Sequence, residues 1–379
     1  MKTAMPQFTI AVLSVCLASL QNAQAVSPAP DGGYSGGNTA EGASALFSLT
    51  TGGYNTAVGF FSLRSNTIGA FNTAIGAGTL LANTGDENTA TGVGALLLNS
   101  TGGSNTANGA LALFNNTTGS GNTAIGVEAL RDNTAGVDNT ATGFGALMSN
   151  TGVDNTANGS VALQNNTTGE ANTAVGSQAL FSNIEGGGNT AVGASALFGN
   201  MGNFNTAIGD EALLSNTTAE NNTAIGVAAL FNNTIGNFNT AAGYQALLTN
   251  VGGQSNTAYG AGALLNNTGT GNIALGANAG LHLTTGFDNI DIGNTGAIAD
   301  DSTIRIGSGA AATFISGIFG VPIAGTPVVV VSNGQLGVAP SSARFKDKIK
   351  PMDKSSEALL ALKPVIFRYK KEIDPAGTR

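Results

Sequence analysis

Glycine, asparagine and threonine supply 141 of the 379 residues, as 56, 42 and 43 copies. Only 14 residues are basic and 22 acidic, for a formal net charge of −8, while 42% are hydrophobic. That much apolar content with so little charge excludes a disordered chain; glycine with no three-residue period excludes collagen, and scarce Glu and Lys exclude a long coiled coil.

The first element is a leader. Lys2 precedes the apolar run from Phe8 to Leu20, and Ala23-Gln24-Ala25 follows it. A positive start, a short apolar core and an A-x-A site read as a secretory signal peptide over residues 1–25, cut between Ala25 and Val26, the alternatives being an uncleaved anchor or a lipoprotein with its lipid on Cys16. The run is too short for a membrane span. The expected mature chain is therefore secreted or displayed at the cell surface, with no transmembrane segment. Cys16 is the only cysteine and lies inside the leader. Disulfide and Cys-zinc chemistry are thus excluded from the mature chain. Residues 26–37 form a linker.

The second element is a repeat over residues 38–296. The phrase N-T-A-x-G begins at Asn38, Asn55, Asn72 and onward to Asn256, with two diverged copies at Asn272 and Asn289. Successive copies are 16 or 17 residues apart, sixteen in all. Leucine stands eight residues after the first fourteen of these Asn, from Leu46 to Leu264. A second Asn stands eleven after, from Asn66 to Asn267. A unit this short cannot bury an apolar face alone, but stacked units can. The expected fold is all-β: a parallel β-solenoid or β-roll of about sixteen coils. Each coil holds one short strand at Thr-Ala-x-Gly, an inward Leu, and a small Ala where the interior is narrow. The Ala-Leu-x-x-Asn segment is either one helical turn or a second short strand, since periodicity does not separate them over so few residues. Asn suits the turns, and stacked Asn can also form amide ladders.

Turn closure accounts for the Asn and Thr repetition more readily than a ligand-binding face does. A regular Thr ladder (Thr56, Thr73, Thr89, Thr106) also invites comparison with a periodic lattice such as ice, but the varied fourth position spoils a uniform face. The lone His282 sits between Leu281 and Leu283 as a surface or capping residue. Asp86-Glu87 and Asp300-Asp301 read as solubilising turn residues. No metal-ligand spacing or phosphate loop occurs, so no cofactor or metal is expected.

The third element is a β-rich connector, residues 297–340. Thr303 to Ile306, Thr313 to Ile315 and Val328 to Val331 read as strands, the last entering the turn Ser332-Asn333-Gly334. Composition then changes. Residues 341–379 hold ten basic and five acidic residues, whereas the first 340 hold four basic and seventeen acidic. A rod so poor in cations cannot neutralise a phosphate backbone, so no nucleic-acid partner is expected.

In this tail, Ser341-Ser342-Ala343-Arg344-Phe345-Lys346, Ile349-Lys350-Pro351-Met352 and Leu362-Lys363-Pro364-Val365-Ile366-Phe367-Arg368-Tyr369 resemble the endosialidase-type intramolecular chaperone domain. That domain is also classed as an autocatalytic serine peptidase. Thr303-Ile304-Arg305-Ile306-Gly307 and Gly334-Gln335-Leu336-Gly337 are similar to the connector that precedes it in bacterial secreted proteins with N-T-A-x-G repeats. The repeat resembles the heads of trimeric autotransporter adhesins. The resemblance implies a homotrimer and a self-cleaving dyad. Ser341 would be the nucleophile and Lys346 the base, with Pro340–Ser341 as the scissile bond. A Ser hydroxyl needs such a partner, and a Lys serves when burial lowers its pKa. Ser342 stands where relatives often have Asp. The chain ends at Arg379, before the family's trimerising helices, so residues 341–379 read as a truncated α/β remnant.

The expected function is a secreted or cell-surface fibrous protein with a structural or adhesive role, touching a surface glycan or a host surface. Alternatives are a phage-type tail fibre and an autoproteolytic precursor with no external substrate. The dyad has a direct test. Intact-mass measurement of the expressed chain should find a C-terminal fragment beginning at Ser341, and Ser341→Ala should abolish it; a fragment surviving in that variant removes the dyad.

Overall fold

The computed structural model describes residues 34–310, 328–330 and 336–338. The chain divides into two compact units, Met1–Ala310 and Ala311–Arg379. Within the second, Val328–Val330 pairs antiparallel with Leu336–Val338; the expected turn Ser332-Asn333-Gly334 lies outside the described residues.

The first unit is a β-solenoid built on one parallel sheet of seventeen three-residue strands, β1 (Thr39–Glu41) to β17 (Ile304–Ile306). Each strand pairs in parallel with the next in sequence, like residue over like. Thr173, Ala174 and Val175 of β9 (Thr173–Val175) lie beside Thr190, Ala191 and Val192 of β10 (Thr190–Val192). β16 (Ile290–Ile292) pairs in the same way with β17, so the sheet gains a seventeenth rung inside the segment assigned to the connector. At the strand spacing of about 4.8 Å, sixteen intervals make a rod of roughly 77 Å.

Alternation of side chains across each strand puts Ala inside and its two neighbours outside. Ala57, Ala124 and Ala207 are fully buried, as are the Leu ladder from Leu63 to Leu264 and the small residues preceding those leucines, such as Ala129 and Ser62. The segment carrying the Leu is neither helix nor strand. It consists of consecutive turns closed by bonds three residues back, such as Asn166 N–H to Leu163 O at 3.1 Å. All fourteen repeat leucines adopt positive φ, for example Leu163 at 50°. A left-handed Leu costs about 1–2 kcal/mol. Full burial of that side chain gains about 1.5–3 kcal/mol, and its N–H still reaches the next coil, Leu163 to Ala179 O at 3.0 Å. Burial and inter-coil bonding together outweigh the strain.

The glycine that follows each of the first fourteen strands, Gly42 to Gly260, is required by contact as well as conformation. Gly126 has φ 133°, and a Cβ placed there would lie 2.5 Å from Gly143 O of the next coil.

Both Asn ladders lie inside the rod rather than on it. Asn155, Asn172 and Asn189 are fully buried, and so are Asn150, Asn166 and Asn183. In the first ladder the Asn155 Oδ1 accepts from the backbone N–H of Asn172 at 3.0 Å and from its Nδ2 at 3.1 Å. Asn172 Nδ2 also donates to Gly186 O at 2.8 Å, closing the corner across the coil. In the second ladder Asn166 Nδ2 donates to Asn150 Oδ1 at 2.7 Å and to Gly169 O at 2.9 Å.

The 16-residue coils lose their residue at one place. The second Asn reaches a Gly two residues on in these coils (Asn150 to Gly152, 2.9 Å) and three residues on in the longer ones (Asn183 to Gly186, 2.8 Å). The shorter corner brings the ladders into contact, with Asn155 Nδ2 donating to Asn150 Oδ1 at 3.3 Å.

Asn172→Ala should therefore destabilise the rod strongly. It strands the buried Asn189 backbone N–H, at about 1–3 kcal/mol, and takes from the Gly186 carbonyl one of its two donors, Asn183 Nδ2 remaining at 2.8 Å. Thr173→Ala, on the outer face of the same strand, should stay within about 0.5 kcal/mol. Chemical denaturation of the two variants beside the parent checks the contrast.

Candidate functional site

Because Ala points inward, the residues on either side of it form two outward rows along the sheet. The first row is threonine in β1 to the strand Thr257–Tyr259, then Ile273, Ile290 and Ile304. The second row varies: Val58, Ile75, Thr91, Asn108, Ile125, Thr142, Asn158, then Val175, Val192, Ile208, Ile225, Ala242, Tyr259, Leu275, Ile292 and Ile306. Most of the second row is exposed, Ile208 at 41% and Tyr259 at 63%. From Thr56 to Ile306 neither row contains a charge. On the last three rungs both rows are aliphatic.

Other outward positions are also stacked in register. Tyr54 and Phe71 stack at 5.2 Å between ring centroids, and Phe181 and Phe198 at the same distance. Most of the rod's acids sit at such outward positions outside the strands. Arg131 is held by Asp132 at 2.7 Å and by Glu128 at 3.5 Å. This arrangement of repeated, evenly spaced side chains can make many similar weak contacts; it does not converge groups on a reacting atom. An open concavity at the N-terminal mouth is lined by Tyr34, Ala40, Leu46 and Leu49, with no acid or base.

Among the described residues, the one buried electrostatic cluster lies at the C-terminal end of the rod. Asp291 replaces the inward alanine of the preceding strand, pairing in register with Ala274 on one side and Arg305 on the other. Its side chain is buried, and neither carboxylate oxygen has a hydrogen-bond partner. Burial pushes its pKa up to about 6; Asp300 adds to the rise and Arg305 opposes it. Arg305 is committed to Asp300 through two bonds, Nε to Oδ2 at 2.5 Å and Nη2 to Oδ1 at 2.6 Å. That pairing holds Asp300 below the usual carboxylate range. The expectation that Asp300 is a solubilising turn residue is thus corrected: it is buried and ties a turn to β17. Asp301 beside it is exposed. Sequence reasoning missed the cluster, although its signal was visible as Asp at a position that is Ala in every earlier copy.

The buried state of both Asn ladders removes them as a binding face and leaves the strand threonines, with Asn108 and Asn158, on the surface. His282 is exposed, as expected, and lies in no cluster of possible metal ligands; none occurs among the described residues. No helix among these residues is long and apolar enough to cross a membrane. Ala25, Val26, Pro340, Ser341 and Lys346 lie outside the described residues. No protein-family model matches the chain, and no curated protein or solved structure matches it either.

The Asp291 carboxyl has a folded pKa above its ordinary value. It therefore favours folding most below pH 4, and that contribution is lost as pH rises through about 6. Asp300 is shifted the other way and titrates below that window. Asp291→Ala should raise the melting temperature at pH 7.5 and shrink the difference between melts at pH 5 and pH 7.5. An unchanged difference would show that Asp291 does not couple to folding.

Proposed function

We propose that the chain is a secreted, surface-displayed fibrous protein that acts as a rigid spacer and presents a repeated face for adhesion. The observation that carries this reading is the single sheet of seventeen in-register strands, each offering nearly the same outward chemistry. One contact to a threonine or aliphatic rung is weak. Repetition at a fixed spacing makes later contacts intramolecular, so total binding grows well beyond any single site. A glycan or another regular cell-surface polymer suits such a ladder. The leader at residues 1–25 supports export, and the resemblance of residues 341–379 supports homotrimer assembly at that end of the chain. A fibre secreted through this leader is favoured over a phage tail fibre, which is assembled without export.

Fractionation tests the proposal. The expressed chain should be found outside the cytoplasm with Val26 as its first residue, and cells displaying it should attach to a glycan-coated surface more than cells expressing a version shortened by three coils, Asn72 to Gly121. Retention of the full chain in the cytoplasm would overturn the reading.

A further inference from the structure

The inward column of the rod ends on two charged residues. Asp291 of β16 and Arg305 of β17 are register partners, one strand spacing of about 4.8 Å apart. An arginine side chain is long enough to reach across that gap. Arg305 turns instead to Asp300, in the turn between the two strands, with Nε to Oδ2 at 2.5 Å and Nη2 to Oδ1 at 2.6 Å. Asp291 is 1% exposed, and neither of its oxygens meets a donor.

The surroundings of Asp291 suit only its neutral form while Arg305 stays on Asp300. Gly280 stands where the fourteen earlier coils have leucine, and a Cβ there would lie 3.4 Å from Asp291 Oδ2. A Cβ at Gly296 would lie 2.9 Å from the same oxygen, and Leu264 and Leu283 pack beside these glycines. A carboxylate so enclosed has lost its water without gaining a hydrogen bond, and it ionises only at high cost. Burial accordingly pushes its pKa up to about 6; Asp300 adds to the rise and Arg305 opposes it. The charged groups that face Asp291 are thus Asp300 from the turn and Arg305 from β17. The preceding strand β15 (Ile273–Leu275) contributes none, and His282, Asp288 and Asp301 are exposed.

The two acids compete for one guanidinium on unequal terms. The Arg305–Asp300 pair lies at the open end of the rod, with side chains 41% and 10% exposed, so solvent weakens it. Without Arg305, Asp300 still accepts from the Ala297 N–H at 2.9 Å. An ionised Asp291 has no other partner and sits where charge interactions are strongest. Once Asp291 loses its proton, the guanidinium gains more by turning inward than by staying on Asp300.

The exchange acts on the end of the first Asn ladder. Asp300 closes its turn through its N–H to Ala297 O at 3.1 Å, and its carbonyl accepts from Asn289 Nδ2 at 3.2 Å. Asn289 begins the last of the sixteen copies. Released by Arg305, Asp300 no longer anchors this turn to β17. We infer that Arg305 exchanges Asp300 for Asp291 when Asp291 ionises, so that the last rung of the rod is locked in acid and loosened near neutral pH. The device belongs to the rod itself and holds wherever the protein is displayed.

Hydrogen exchange of the full chain, read by mass spectrometry as protection factors at pH 5 and pH 7.5, tests the exchange of partners. Residues 294–302 report the turn, and residues 73–259 serve as the internal control for an intact rod. In the parent the turn should lose about tenfold in protection between pH 5 and pH 7.5, as for loss of a hydrogen-bonded ion pair, while the control residues keep theirs. Asp291→Asn, which cannot ionise, should hold the pH 5 value at both. Asp300→Asn should cost about tenfold at pH 5 and no more than about twofold at pH 7.5, because Arg305 has by then left residue 300. Equal protection of the parent's turn at the two pH values, or a pH dependence that persists in Asp291→Asn, would overturn the proposal. So would an Asp300→Asn cost that is the same at both, since Arg305 would then never leave Asp300.

Discussion

A carboxamide has two donors and an oxygen with two lone pairs, and the solenoid places one where it must use them all. In most coils the first Asn accepts from the backbone and the side chain of the next coil's Asn, and donates across its own coil to a backbone carbonyl, as Asn172 does to Gly186. These atoms have no access to water, so each missing partner would leave a buried polar group unsatisfied. The bond therefore dictates three features together. It demands one coil per amide, a strand starting one residue later, and a close backbone approach at the corner. Strand register, coil length and the glycine-rich corners all follow from keeping that amide satisfied.

The corner explains how a rod tolerates two coil lengths without losing register. A 16-residue coil is shortened between its second Asn and the next coil's first. The strand and the Leu turn are untouched, so the sheet continues in step. The shortened corner even gains a direct contact between the ladders, as between Asn150 and Asn155. Length variation is placed where an amide can reach a carbonyl either two or three residues away. The strand has no such freedom, because slipping by one residue would exchange buried Ala174 for outward Thr173.

At the C-terminal end the repeated chemistry changes in a coordinated way. Ala gives way to Asp291 and then Arg305 in the inward column, while threonine gives way to isoleucine in the outward one. Charge enters the interior where the stack ends, and Arg305 pairs with Asp300 instead of with the facing Asp291. The same rungs carry the most aliphatic part of the outer face.

Much of this architecture was legible in the residues themselves. A fixed period of 16 or 17, Leu at one place and Ala at another determined a stacked parallel solenoid, because a short unit has no other way to bury its apolar side chains. Asn as a ladder former was also foreseeable, since identical residues stacked in register meet their own kind. Tertiary structure alone decided that both Asn columns lie inside, that the leucines take left-handed turns in place of a helix or strand, and that Ile304–Ile306 joins the sheet as one more rung. It also decided that Asp300 is a buried partner of Arg305. The physical reason is common to all four. Each depends on what the neighbouring coil places a few ångströms away, and local propensity, which favours Asn in exposed turns and disfavours Leu at positive φ, is outweighed once burial and inter-coil hydrogen bonds are counted.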